Sequence, residues 1–307
     1  MEIARKKVSK RAIKEGLIGY LFASPFLIGF FGLTFGPMIF SFILSLGKWN
    51  AHNPLSDYQF LGFGNFQEIL VDDTLFRTAL FNTSYYAFFS VPLGITFALF
   101  LALLLNQKLK GIYIYRTIFY IPSLVAGVAT IILWKWIFNP DFGILNSFLK
   151  LLGMQGPAWL QSPVWAKPAL IIMSLWGVGG TMLIFLAGLQ NIPHHLYEVA
   201  DLDGASRWHR FRHVTIPMLT PTIYFNLIMS IIGCFQIFTA VYIMAPTGGA
   251  KNSLLFYVLY LYRKAFMEFE MGYASALAWM LFIIILALTL LVIKSSAIWV
   301  YYEGERK

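Results

Sequence analysis

Long apolar runs alternate with short polar segments along almost the whole chain. A helix that crosses the hydrocarbon core of a bilayer needs roughly 20 apolar residues, and six runs reach that length without an acidic side chain. We predict spans at about Leu17–Leu46, Leu80–Leu105, Tyr113–Ile137, Ala169–Leu189, Thr222–Ala245 and Ala274–Ile298. The pattern therefore predicts an all-α fold, a polytopic membrane helix bundle with six transmembrane helices.

The segments between these spans are too short to fold by themselves. The two longest, about Gly47–Ala79 and Asn139–Pro168, fall below the roughly 40 residues under which a fold usually needs disulfides or metals. We therefore predict that residues 1–307 form a single transmembrane domain. It begins with a short polar segment, residues 1–16, and carries a longer polar segment, residues 190–219, between the fourth and fifth spans.

Composition and charge agree with a membrane protein. Hydrophobic residues make up 59% of the chain and charged residues only 12%, which is unlike a soluble domain. Most of the 23 Lys and Arg residues flank the spans on one side, and such residues are retained in the cytoplasm. This asymmetry places both termini and residues 190–219 in the cytoplasm. It also explains the net charge of +9 by membrane topology and contact with anionic lipid, rather than by binding to nucleic acid.

Several chemistries lack their usual residues in this sequence. No G-x-x-x-x-G-K-[ST] nucleotide-binding motif and no H-E-x-x-H motif occurs, and the central parts of the spans carry no ionisable relay. His209 and His213 are four residues apart and can share a helix face, but no third metal ligand is evident. We therefore expect neither catalysis, nor a metal, nor a cofactor on this chain, and ATP, if it drives the protein, must bind another chain.

The polar segment 190–219 has the pattern of two short helices. Pro193 suits a helix start, Gly204 can adopt the positive φ that ends a helix, and Ser206 can cap the next one. In that second helix we expect Trp208, Phe211 and Val214 to form an apolar stripe against the bundle, and Pro217 to end the helix before the fifth span. These residues alone leave two alternatives open: a docking loop for a partner, or an ordinary interfacial helix.

This segment resembles the cytoplasmic E-A-A loop of permease subunits of binding-protein-dependent ABC importers. The pattern E-A-A-x-x-x-G stands here as Glu198-Val199-Ala200-Asp201-Leu202-Asp203-Gly204, followed by Val214-Thr215-Ile216-Pro217. Further segments are similar to the maltose/glycerol-3-phosphate-type carbohydrate branch: Ile192-Pro193, Asp203-Gly204-Ala205, Pro246-Thr247-Gly248-Gly249 and Met271–Ala278, with Pro25 and Trp49-Asn50 near the first span. Val199 departs from the pattern, since alanine is usual there, and its added bulk can alter docking.

The resemblance implies the type I importer fold and a division of labour. An extracytoplasmic solute-binding protein delivers a sugar to a pathway formed by two permease chains, commonly two different ones. Two cytoplasmic ATPase subunits bind ATP and magnesium and drive transport, in a bacterial or archaeal cytoplasmic membrane. The resemblance assigns coupling to the ATPase to Glu198, Ala200, Asp203, Gly204, Ala205 and Pro217.

The path of the substrate is less evident from sequence. Sugar sites combine aromatic rings with amides and hydroxyls, and the spans offer candidates of both kinds: Asn82, Tyr85, Trp176, Thr181, Asn226, Gln236 and Tyr242. Each has an alternative role, because Tyr and Trp also form interfacial belts and Asn and Gln also bridge helices. A permease for a non-sugar solute such as a phosphorylated polyol remains an alternative to a sugar permease. An intramembrane enzyme or scaffold is the alternative from another class.

Overall fold

The computed structural model describes residues 10–107 and 109–301, with side chains from residue 14 onward. Residues 1–9 of the predicted N-terminal segment, and the basic residues Lys108, Arg306 and Lys307, lie outside this range. The helices are, in order, α1 (Lys10–Gly29), α2 (Gly36–Ser45), α3 (Gly64–Val71), α4 (Thr74–Leu105), α5 (Ile112–Leu124), α6 (Gly127–Ile137), α7 (Ile144–Leu151), α8 (Ala166–Trp176), α9 (Gly179–Gln190), α10 (His194–Leu202), α11 (Arg207–Arg210), α12 (Ile216–Phe235), α13 (Thr239–Met244), α14 (Tyr257–Tyr262) and α15 (Met271–Trp299).

Shorter elements join some of these helices. π-helical turns occupy Phe30–Phe35 between α1 and α2, Phe211–Thr215 between α11 and α12, and Arg263–Met267 after α14. Two-residue strands, β1 (Gly47–Lys48) and β2 (Gln59–Phe60), pair antiparallel with Gly47 opposite Phe60. The all-α prediction is thus confirmed. In the described residues the strands form one sheet of two short strands, and the other elements are helical.

Single helices or bent helix pairs coincide with the six predicted runs. Among the described residues, four are long and apolar enough by themselves: Lys14–Ser45, Thr74–Leu105, Arg207–Met244 and Met271–Trp299. The two remaining runs form bent helix pairs, since α5 and α6 meet at 96° and α8 and α9 at 48°. Counting each bent pair as one span gives six, as the hydropathy pattern predicts.

The helix that contains the fifth span begins at Arg207, much earlier than the predicted span, which starts at Thr222. Pro217 does not end the preceding helix, because the chain stays helical from Arg207 through the π turn Phe211–Thr215 into α12. The Ile216 N–H donates to the Phe211 carbonyl, five residues back, so a π turn directly precedes Pro217, the residue that has no N–H to donate. The expectation that Pro217 is a stop is therefore wrong.

Among the described residues the chain divides into two compact units, one that runs up to Glu68 and includes Lys264–Trp279, and one formed by Ile69–Arg263 and the chain from Met280 onward. In the first unit, the buried Asn65 amide donates to the carbonyls of Ser45 and Gly47, each at 2.9 Å. A Cβ on Gly272 would lie only 2.1 Å from the Gly47 carbonyl oxygen. The Met271–Ala278 segment therefore needs glycine at this position, where two stretches of backbone approach closely.

The second unit is built around α4. This helix contacts α8, α9, α12 and α14, and its buried positions are mostly small or apolar, with the polar Asn82 among them, as close helix packing in a membrane allows. At the Leu105 end of α4, a buried apolar cluster joins it to α9 and α12; we call this the loop-side core, and its members include Leu101, Leu105, Phe185, Leu189 and Leu219. Residues 190–219 emerge next to this core.

Candidate functional site

The first half of segment 190–219 is a short helix with a complete C-terminal cap. Helix α10 ends at Leu202, and Gly204 adopts φ +71°, the left-handed conformation that favours glycine. The Ala205 N–H donates to the Ala200 carbonyl at 2.9 Å and the Gly204 N–H to the Asp201 carbonyl at 3.0 Å. This bond pair is the Schellman motif, so Ala200, Asp203, Gly204 and Ala205 together form one rigid turn.

The second half starts from its own cap, as predicted. The Ser206 hydroxyl accepts from the His209 N–H at 3.2 Å, which satisfies one of the free donors at the start of α11. The Arg210 guanidinium pairs with the Asp201 carboxylate on α10. Both helices of the segment are therefore tied to each other across the Gly204 turn.

We call α10, the Gly204 turn and α11, residues 194–210, the elbow. The elbow is also attached to the helices that span the membrane. The Tyr197 hydroxyl lies 3.0 Å from the Thr215 hydroxyl, joining α10 to the π turn that leads into α12. Ile192 is buried in the loop-side core, and Leu196, Tyr197 and Val214 pack against it half-buried. α10 is therefore held against α9 and α12 by both a polar and an apolar contact.

The side of the elbow away from the loop-side core is apolar and exposed. Val199 is 55% exposed, Leu202 88% and Trp208 67%, and Glu198 stands exposed beside them. We call these four residues the elbow face. The expectation that Trp208 packs against the bundle is wrong: the side chain is exposed and its ring centroid lies 5.5 Å from that of Phe211, while Val214 packs against the loop-side core.

His209 and His213 do share a face. Their rings stack with centroids 3.9 Å apart, and His213 Nδ1 lies 3.1 Å from the His209 carbonyl oxygen. Within the described ranges, His, Cys, Asp and Glu side chains form no group of three or more that could hold a metal ion.

Asn82, one of the substrate-path candidates, is buried with its amide fully engaged. Its Nδ2 donates to the carbonyls of Asn252 and Leu255 at 2.8 and 3.0 Å, and its Oδ1 accepts from the Lys167 ammonium at 3.0 Å. The same ammonium lies 5.4 Å from the centre of the Tyr85 ring, within cation–π range. The structure thus links two predicted residues through Lys167, which the sequence analysis did not select.

The other candidates are dispersed through the second unit. Trp176 is half exposed at the break between α8 and α9 and meets Trp134 edge-on at 5.9 Å. Asn226 is buried and donates to the Thr222 carbonyl of its own helix at 2.8 Å. Gln236 is exposed at the end of α12. These residues therefore do not form one cluster.

Tyr242 belongs to a group of three aromatic rings. It stacks on Phe238 at 5.3 Å and meets Tyr262 at 5.3 Å, while Phe238 and Tyr262 are 5.0 Å apart. A hydrogen bond to Tyr242 and the charge of that neighbour raise the pKa of Tyr262 above its usual value.

A polar cavity of about 310 Å³ opens at the α8–α9 break. The Ser90 and Ser174 hydroxyls lie 2.8 Å apart in its wall, and Thr181 also lines it, but none of the six residues Asn82, Tyr85, Trp176, Asn226, Gln236 and Tyr242 does. Its lining includes Tyr86, Ser230, Cys234 and Gly177 and carries no charged side chain. An uncharged, hydroxyl-rich cavity suits a hydroxylated solute.

Apolar helices of spanning length, with the segment 190–219 packed against α9 and α12, define an integral membrane protein. Residues 91–301 match the family described as binding-protein-dependent transport system inner membrane component, and the chain belongs to this family. This match confirms the family that the E-A-A-like segment predicts.

Relatives cover nearly the full chain. The probable ABC transporter permease protein YesP of Bacillus subtilis (strain 168) is 43% identical over 304 residues, 98% of this chain and 97% of that protein. The lactose transport system permease protein LacF of Rhizobium radiobacter is 37% identical over 279 residues, covering 89% of this chain and 92% of that one.

The fold has a solved counterpart. A chain in the crystal structure of a bacterial alginate ABC transporter in complex with alginate pentasaccharide-bound periplasmic protein matches with a TM-score of 0.82. The match covers 94% of this chain and 97% of that chain at 23% identity. It confirms the type I importer permease fold.

Proposed function

We propose that this chain is the permease subunit of an ATP-driven importer that forms the pathway for a sugar or oligosaccharide. An extracytoplasmic binding protein delivers the solute, a second and different permease chain completes the pathway, and two ATPase subunits carry the ATP and magnesium. Relatives named for lactose and for arabinooligosaccharides support the sugar class. The whole chain acts as one membrane domain with both termini in the cytoplasm.

The observation that carries coupling is the elbow face. Three large apolar side chains exposed together beside a carboxylate are typical of a protein contact rather than of a solvated loop. No ion pair joins Glu198 to the part of the chain that the structure describes, so its carboxylate is available to an arginine of the ATPase. The contact contains Glu198, Ala200, Asp203, Gly204 and Ala205. Pro217 lies outside the contact, at the start of α12.

The attachment of the elbow explains how ATP binding can move the pathway. Closure of the ATPase pair displaces both docking loops, and the Tyr197–Thr215 bond and the loop-side core pass that displacement to α9 and α12. The bundle then changes from inward-facing to outward-facing, and hydrolysis resets it.

Substitutions at the turn test this proposal. Glu198→Arg reverses the charge of the elbow face, and Gly204→Pro cannot adopt the φ of the Schellman turn. We expect each to abolish ATP-dependent sugar uptake in proteoliposomes, while the chain still inserts and copurifies with the second permease.

Matched controls exist elsewhere in the second unit. Gly153 has nearly the same backbone conformation, φ +74°, with open space around it, and Asp141 is an exposed carboxylate. Gly153→Pro and Asp141→Arg should leave uptake intact. Sugar uptake and sugar-stimulated ATP hydrolysis at wild-type rates in the Glu198 and Gly204 variants would exclude this loop as the coupling site.

A further inference from the structure

A second polar cavity, of about 450 Å³, lies away from the one at the α8–α9 break. It is formed by the end of α6, part of the segment between α7 and α8, and the turn that follows α13. Its polar side chains come from Lys135, Asn139, Gln161 and Thr247. The volume falls within the roughly 300–1,000 Å³ of pockets that hold small ligands.

Lys135 is the charged residue in this lining. Its ammonium donates to the Ile243 carbonyl at 3.3 Å, which holds it at the cavity wall. An ammonium has three donors, and this one long bond leaves the others to a ligand or to water. In the described residues no carboxylate lines the cavity, and Lys135 forms no ion pair.

The turn after α13 places further positive charge next to the cavity. The Arg263 guanidinium donates to the Thr247 carbonyl at 3.4 Å. Lys251 follows Ala250, which lines the cavity, and is held with a left-handed φ of +52° in the turn Ala250–Asn252. Arg263 therefore bonds to a backbone group of the cavity lining, while Lys251 and the acidic Asp141 each adjoin a lining residue in sequence.

We propose that this cavity receives an acidic sugar unit, with Lys135 as the partner of the sugar carboxylate. The inference rests on the proposed function, and it narrows the substrate class from any saccharide to one that contains a uronic acid. Lys135 is exposed, and its charge-assisted bond to a carboxylate is stronger than a bond to a neutral acceptor. The Asn139 Oδ1 already accepts from the Asp141 and Phe142 N–H groups, so Asn139 offers its Nδ2, and Gln161 its amide, to the sugar hydroxyls. A neutral sugar offers the ammonium only hydroxyl acceptors, which bind it more weakly than a carboxylate does.

The test compares two disaccharides that differ by one carboxylate, cellobiuronic acid and cellobiose. The purified complex of this chain with its second permease and its ATPase, without the binding protein, is placed in lipid nanodiscs and titrated with each sugar by calorimetry. We expect at least about tenfold tighter binding of the acidic sugar, since a hydrogen bond to a charged group is worth that much. Higher salt should reduce the difference.

Substitution of the lysine isolates its contribution. Lys135→Gln should remove the preference for the acidic sugar, and Lys150→Gln, which removes an exposed lysine of α7 outside the cavity, should keep it. Equal affinities for the two sugars, no binding of either, or an unchanged preference in Lys135→Gln would overturn the inference.

The same preparation separates this outcome from failure of the proposed function. ATP hydrolysis by the copurified ATPase, and its uncoupling by Glu198→Arg, report on the importer assignment alone. If the complex is coupled but binds both sugars equally well, the importer assignment stands and the proposal of an acidic substrate is rejected.

Discussion

Two buried asparagines from the predicted substrate path occupy very different environments. The Asn82 amide forms three hydrogen bonds that connect α4 with Lys167 on α8 and with the carbonyls of Asn252 and Leu255. Asn226 bonds only within its own turn of α12. Loss of a buried partner leaves its counterparts unsatisfied, so the two residues should differ in their effect on stability.

We predict that Asn82→Ala destabilises the protein by about 1–3 kcal/mol, seen as a clear fall in unfolding temperature in detergent. Asn226→Ala, the matched control, should shift that temperature much less. If Asn82→Ala keeps the wild-type unfolding temperature and loses only sugar uptake, Asn82 contacts the substrate rather than supporting the fold.

At this scale the sequence predicted some residues and missed others for identifiable reasons. Gly204 and Ser206 were predictable because helix caps depend on neighbouring residues, and the structure shows both caps. Trp208 was misplaced because a three-residue spacing drifts around a helix of 3.6 residues per turn. Lys167 was missed because its partner Asn82 lies 85 positions away in sequence.

At the scale of elements, the elbow acts on the bundle through one polar contact and one apolar contact. The polar one is the 3.0 Å hydrogen bond between the Tyr197 and Thr215 hydroxyls. We predict that Tyr197→Phe and Thr215→Val each cost about 0.5–1.5 kcal/mol and slow coupled uptake.

A double-mutant cycle measures this contact directly. Because one bond joins the two side chains, the double variant should lose little more than either single one. Strictly additive losses in unfolding temperature and uptake would mean that the two hydroxyls act independently, and that the loop-side core alone transmits the displacement.

The spans were predictable as elements but not in their shape. Hydropathy locates apolar runs, and all six coincide with helices or bent helix pairs. It carries no information on the 96° bend between α5 and α6, which follows from the extended backbone at Val125 and Ala126. Nor does it detect the π turn that lets the fifth span continue through Pro217.

At the scale of the whole molecule, the proposed orientation places the elbow and the α7 segment on opposite sides of the membrane. Two exposed serines mark these positions, Ser206 in the elbow and Ser147 on α7. In a Cys234→Ser background, an impermeant maleimide added to intact cells should label Ser147→Cys and not Ser206→Cys until the membrane is permeabilised. The reverse labelling would invert the topology.

The central claim is that this chain works as one part of an ATP-driven importer. The most direct test is capture of the chain from its native membrane in mild detergent, with identification of every stoichiometric companion. The account predicts an ATPase with a nucleotide-binding loop and a second six-span permease. Recovery of this chain alone, under conditions that keep other membrane complexes intact, would contradict it.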